Sequence, residues 1–149
     1  MNIRRALRAP LAGSLLLSAA LAGGVTAAAP AAAASEPSCP SGANWSASPT
    51  YRDSAGQVAA IGHIYTYNWG GCAYLVAQGS YYGMYKWMDV QIQADNGQTS
   101  YDGNHYYYYA GPVSASSSTT GGLCMTVWFD MLNSAGTRVV QDKTGTPCN

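Results

Sequence analysis

Charge is scarce in this chain, with Asp, Glu, Lys and Arg making up 9% of its 149 residues. Phenylalanine occurs once and histidine twice. No Gly-x-Ser-x-Gly elbow, His-Glu-x-x-His pair or phosphate-cradling glycine loop is present, so the local signatures of serine hydrolases, zinc proteases and nucleotide-binding enzymes are missing. The thin basic content argues against nucleic acid as a partner, because phosphate neutralisation needs clustered Lys and Arg. No segment sustains a helical period, which points away from a helical architecture.

Long apolar runs are also rare, and the one present sits at the N-terminus. Arg4, Arg5 and Arg8 lead into the stretch Leu11 to Val25, and Ala32-Ala33-Ala34 supplies small residues for cleavage. This is the three-part pattern of an export signal. Gly13, Gly23 and Gly24 interrupt the stretch, and it falls short of the about 20 residues that a membrane span requires. Residues 1–34 are therefore expected to be a cleaved signal peptide, leaving 35–149 as a single secreted domain without membrane attachment. That domain keeps four basic residues, Arg52, Lys86, Arg138 and Lys143, against seven acidic ones, a net charge near minus three.

What the chain does have begins with Cys39, Cys72, Cys124 and Cys148. An even number of cysteines in an exported chain predicts disulfides, and no two have the close spacing of a zinc knuckle. No metal or other cofactor is expected. Two near-identical turn sequences, Asp53-Ser54-Ala55-Gly56 and Asn133-Ser134-Ala135-Gly136, each lie between two cysteines. If both are hairpin tips, their flanking strands bring Cys39 level with Cys72 and Cys124 level with Cys148, and of three possible connectivities this one is favoured.

The rest alternates short β-type runs with turn signals. Gln57 to Asn68 and Cys72 to Gln78 read as strands around Asn68-Trp69-Gly70-Gly71. In Tyr85 to Ala94, Met88, Val90 and Ile92 point one way while Trp87, Asp89, Gln91 and Gln93 point the other, the pattern of a half-buried strand. Asn96-Gly97 suits a tight hairpin, with Gln98 to Tyr101 returning from it. Leu123, Met125, Val127, Phe129 and Met131 alternate along a further inward face. The fold expected is all-β, a small antiparallel β-sandwich or partly closed barrel with two disulfides.

The same runs hold both histidines, His63 and His105. His63 reads as a hydrogen-bonded strand histidine. His105 has Asp102 nearby, which either orients the imidazole or caps its own backbone. Asp95-Asn96-Gly97 and Asp102-Gly103-Asn104 present oxygens that calcium favours, but both are too short for a recognised loop and read as turns. No catalytic residue is expected, and the chain is read as a non-enzyme.

Tyrosine dominates what remains. All twelve lie beyond residue 34, including Tyr81-Tyr82 and the uninterrupted run Tyr106-Tyr107-Tyr108-Tyr109. On a strand, two of the four face each way, so either Tyr106 with Tyr108 or Tyr107 with Tyr109 points outward, near Trp87 or Tyr85. Exposed rings with polar tips suit polymers or other proteins. Trp87 and Tyr106 to Tyr109 are the candidate binding surface.

Asp102-Gly103-Asn104-His105, the segment Tyr108-Tyr109-Ala110-Gly111-Pro112-Val113, Gly122-Leu123-Cys124 and Trp128 together resemble the spore-associated protein A-like family of small secreted Streptomyces proteins. Gly71-Cys72-Ala73 and the terminal Cys148 also fit that layout. The resemblance implies a β-rich protein of the spore or aerial-hypha surface, with no catalytic residues to carry over. The chain departs from the family in its tyrosine run and its longer 114–120 loop. The function expected is that of a secreted, non-enzymatic protein of the spore or cell surface. Its partners would be a wall polymer or another surface protein. The alternative is a secreted binding module, either a carbohydrate-binding domain or an inhibitor of an extracellular hydrolase with residues 114–120 as its loop.

Overall fold

The structure, a computed structural model, describes residues 35–116 and 124–146. These residues form nine strands and a single 3₁₀ turn at Gly79–Tyr81. The strands are β1 (Trp45–Ala47), β2 (Thr50–Arg52), β3 (Val58–Tyr67), β4 (Gly70–Ala77), β5 (Lys86–Ala94), β6 (Thr99–Tyr106), β7 (Tyr109–Ser116), β8 (Met125–Leu132) and β9 (Arg138–Gly145). All pairings are antiparallel, in two sheets. One runs β1-β3-β4-β7 with β2 also on β3, and the other runs β6-β5-β8-β9. The fold is thus the expected all-β sandwich; the alternative of a partly closed barrel does not form, because no strand pairing joins the two sheets.

Alternation decides the core. Met88, Val90 and Ile92 of β5 and Met125, Val127, Phe129 and Met131 of β8 are buried on one face, against Ile64, Ala73, Leu75, Val113 and Ala115 of the other sheet. Each of the larger of these side chains, the alanines apart, stabilises the fold by roughly 1.5–3 kcal/mol relative to exposure. Small residues let the sheets approach. A Cβ on Gly62 would lie 2.8 Å from the Phe129 ring, so glycine there lets that ring enter.

The β4 strand breaks the alternation, since all eight of its residues are buried. Its inner face meets the second sheet; on its outer face Tyr74 stacks on His63 of β3 and Cys72 is joined to the segment preceding β1. Cys39 in that segment is bonded to Cys72 of β4, closing a loop of 33 residues, and the Tyr67 hydroxyl donates to the Pro40 carbonyl. On the loop-entropy argument this disulfide contributes about 3–4 kcal/mol. It is the first of the two expected pairs; the second, Cys124 with Cys148, lies outside the described residues because Cys148 does. No cysteine among the described residues is free. A disulfide of this kind belongs to an oxidising compartment.

The paired turn sequences form paired turns. Asp53 Oδ1 accepts from the Ala55 and Gln57 amides, each at 2.9 Å, while Asn133 Oδ1 accepts from Ala135 at 3.0 Å and Thr137 at 2.9 Å. Gly56 and Gly136 follow at φ 81° and 79°, a left-handed backbone that side chains disfavour. They join β2 to β3 and β8 to β9.

Three local expectations are corrected. Ser35 to Ser48, whose Pro, Ser, Ala and Gly content reads as an extended entry, contains β1, and the strand expected to end at Tyr101 continues to Tyr106. The tyrosine run is not a strand. Tyr106 ends β6, Tyr107 and Tyr108 form a bend, and Tyr109 begins β7, so the run is the corner at which the chain passes from one sheet to the other. Tyrosine has a high β-propensity, but here the sandwich's geometry overrides it. Of the 114–120 loop, Ser114 to Ser116 belong to β7 and the remainder lies outside the described residues.

Candidate functional site

The corner gives each tyrosine of the run a separate environment. Tyr106 turns inward and packs against the core, donating its hydroxyl to Asp102 Oδ1 at 2.5 Å. Asp102 Oδ2 also accepts from the Gly111 amide of β7 at 2.6 Å, so this carboxylate ties β6 of one sheet to β7 of the other. Burial and the Asp102 bond push the Tyr106 phenol up to about 12. Tyr109 lies opposite Val76 in the β7–β4 pairing, while Tyr107 is 51% exposed. The expected two-and-two division of the run is replaced by this arrangement.

Tyr107 belongs to a continuous ladder of rings. The Trp87 ring meets His105 edge-on with centroids 5.5 Å apart, and His105 stacks on Tyr85 at 5.2 Å. Tyr85 contacts Tyr107 at 5.0 Å, Tyr107 contacts Tyr108 at 6.1 Å, and Tyr108 contacts Tyr82 at 4.8 Å. These separations fall in the attractive range for aromatic pairs. Register assembles the ladder's first part: Trp87 of β5 lies opposite His105 of β6, and both side chains leave the sheet on its outer face. Tyr85, the most exposed large hydrophobic residue at 57%, fills the space between His105 and Tyr107.

A buried lysine braces the corner beneath. Lys86 is 1% exposed, and its ammonium donates to the carbonyls of Met84 at 2.9 Å and Tyr107 at 3.0 Å. Burial lowers its pKa to about 8. Beside the ladder a cleft of about 240 Å³ runs between Tyr85, Trp87 and His105 on one side and Leu132, Asn133 and Ser134 on the other.

Farther down the same sheet face, Trp87 Nε1 donates to Asp89 Oδ2 at 3.1 Å. Asp89 lies opposite Asp130. Burial, and next the neighbouring Asp130 charge, raise the Asp89 pKa against the Trp87 bond. Arg138 balances the pair by an ion pair to Asp130 at 2.9 Å. Lys143 lies over the Trp128 ring at 5.2 Å, and Tyr101, 54% exposed, lays its hydroxyl end beside Gly103.

The two histidines separate. His105 projects outward into the ladder while Asp102 is committed to Tyr106 and Gly111, so Asp102 does not orient His105. His63 is a hydrogen-bonded strand histidine, as expected. Its Nδ1 lies 3.2 Å from Ser48 Oγ, and its ring stacks on Tyr74 at 4.5 Å. Burial lowers its pKa, opposed by the Glu36 charge. Asn96-Gly97 forms the expected turn, Asn96 Oδ1 accepting from Gln98 at 2.9 Å. Asp102-Gly103-Asn104 does not turn, because it lies within β6.

Sequence reading placed Trp87 and the tyrosine run in the candidate surface but missed that Tyr82 and His105 join it. The alternation of β5 exposes Trp87, yet only strand register could have revealed His105. Fold and site together define an antiparallel β-sandwich with an exposed aromatic ladder. No family model, curated protein or solved structure matches the chain.

Proposed function

We propose that the chain is a secreted, non-enzymatic protein of the spore or cell surface that adheres through its aromatic ladder to a wall polymer or to another surface protein. The observation that carries this reading is the run of six touching rings from Trp87 to Tyr82, with Tyr85 and Tyr107 each more than half exposed. A contiguous aromatic patch has a desolvation gain to offer a ligand, and its hydroxyls and imidazole supply polar contacts at the rim. The resemblance to the spore-associated protein A-like family of Streptomyces supports the same assignment, as does the Cys39–Cys72 disulfide.

The carbohydrate-binding alternative shares this surface and is favoured by the cleft beside it, whose aromatic wall faces Asn133 and Ser134. Co-sedimentation of the purified protein with insoluble spore wall, mycelial wall, chitin and cellulose tests the proposal. Retention that survives high salt supports it, because apolar stacking is unscreened. Protein that stays in solution with every wall fraction refutes adhesion.

A further inference from the structure

We infer that Tyr85 and Tyr107 form a site of oxidative cross-linking, in which a one-electron oxidant joins the two phenol rings into dityrosine within one molecule. Three observations select this pair. Among the described residues four tyrosines are exposed: Tyr82, Tyr85, Tyr101 and Tyr107. Of these, Tyr85 and Tyr107 alone contact each other, with ring centroids 5.0 Å apart and planes inclined by 42°. Tyr101, equally open to an oxidant, has no ring partner among the described contacts, while Tyr82 pairs with the half-buried Tyr108.

The backbone holds the pair in place. Tyr85 immediately precedes β5, and Tyr107 follows β6, the strand paired with β5. The Lys86 ammonium bonds the Tyr107 carbonyl at 3.0 Å, fixing the backbone of one partner from the residue next to the other. Each ring is free to turn about χ2, a broad torsion in tyrosine. Turning about χ2 re-aims the carbons ortho to the hydroxyls, and a small swing of the exposed side chains about χ1 closes the rings from their 5.0 Å separation. Holding two reactants in this way makes the coupling effectively unimolecular.

The chemistry balances with peroxide as the oxidant, activated by a haem peroxidase. Each phenol loses one electron and its hydroxyl proton, giving two phenoxyl radicals. A carbon–carbon bond forms between the ortho carbons, the two ortho C–H bonds break, and those hydrogens move to the oxygens to restore both phenols. The two electrons and two protons removed reduce one peroxide to two waters. The product staples the start of β5 to the corner. This inference stands apart from the adhesion proposal, since it requires no ligand.

Dilute purified protein treated with hydrogen peroxide and a haem peroxidase provides the test, followed by dityrosine fluorescence, intact mass and peptide mapping. The expected result is a monomer lighter by two hydrogens, with the link mapped to Tyr85 and Tyr107 and a yield independent of protein concentration. Tyr85→Phe and Tyr107→Phe should each abolish the intramolecular link, while Tyr101→Phe should leave it intact. Both residues are exposed, so the phenylalanine variants keep the fold. Covalent dimers as the sole product, a link mapped to Tyr82 and Tyr108, or a link that persists in Tyr107→Phe would each overturn the inference.

Discussion

Tyr51 donates its hydroxyl to Asp142 at 2.8 Å, joining β2 of one sheet to β9 of the other. On the opposite side of the sandwich the link is Asp102 of β6, which accepts from the Gly111 amide of β7 and from the Tyr106 hydroxyl of its own strand. Each open flank is thus closed through an aspartate that also accepts a tyrosine hydroxyl. Tyr51 also packs against Phe129, with ring centroids 5.9 Å apart. Tyr51→Phe keeps that packing and removes the bond to a charged group, so it should cost about 1.5–3 kcal/mol. The Thr144 hydroxyl, and next Tyr51, hold the Asp142 pKa below its ordinary value. A depressed carboxylate stabilises the fold above its unfolded pKa and loses that contribution as pH falls through the folded one. Chemical denaturation at neutral and acid pH should therefore show the Phe variant's deficit shrinking as the solution is acidified.

Lys86 works in the other direction. Its folded pKa of about 8 lies below the ordinary 10.5 because of burial, so between those values the unfolded chain holds more protons than the folded one. Stability should rise with pH across that window. Above about 10 the raised phenols of Tyr51, Tyr74 and Tyr106 reverse the trend, since the unfolded chain gives up protons that the fold retains. Thermal melts should show the rise between pH 8 and 10 in the parent and its absence in Lys86→Met.

A methyl on Gly62 would press on the buried Phe129 ring at 2.8 Å. The core ring has nowhere to go, so Gly62→Ala should cost about 1–3 kcal/mol. The urea midpoint of the variant, set beside that of the parent, checks it.

Thr66 is buried on the inner face of β3 with no hydrogen-bond partner for its Oγ1 among the described residues. An unsatisfied buried hydroxyl costs about 1–3 kcal/mol, and valine has nearly the same shape. Thr66→Val should therefore raise stability by about 1 kcal/mol, read as an upward shift in melting temperature.

Much of the fold was legible because one face of β5 and β8 is buried and the other is not. Met88, Val90 and Ile92, and Met125 through Met131, carry that asymmetry in their order. The Asp53 and Asn133 turns were legible because their side chains bond their own backbones, a local effect that four residues encode. The burial of β4 was not, since it comes from its place between β3 and β7 and from contacts made by residues distant in sequence, Cys39 among them. The corner at Tyr107 and Tyr108 was illegible for another reason. It lacks Gly, Asn and Asp, and its bend is imposed by Lys86 and by the Asp102 link between sheets. Half the ladder arises from strand register, which no local pattern contains.

Direct wall binding distinguishes an adhesive ladder from one that only packs the corner. Adsorption isotherms on the retaining wall fraction, at high salt, should compare the parent with the Tyr85→Ser/Tyr107→Ser double variant and with Tyr101→Ser. All three should fold alike, because the altered side chains are more than half exposed. Loss of two adjoining rings should weaken binding by roughly tenfold, about 1.4 kcal/mol, while Tyr101→Ser binds as the parent does. Parental affinity in the double variant would refute adhesion through these rings, leaving the ladder as packing at the corner of the sandwich.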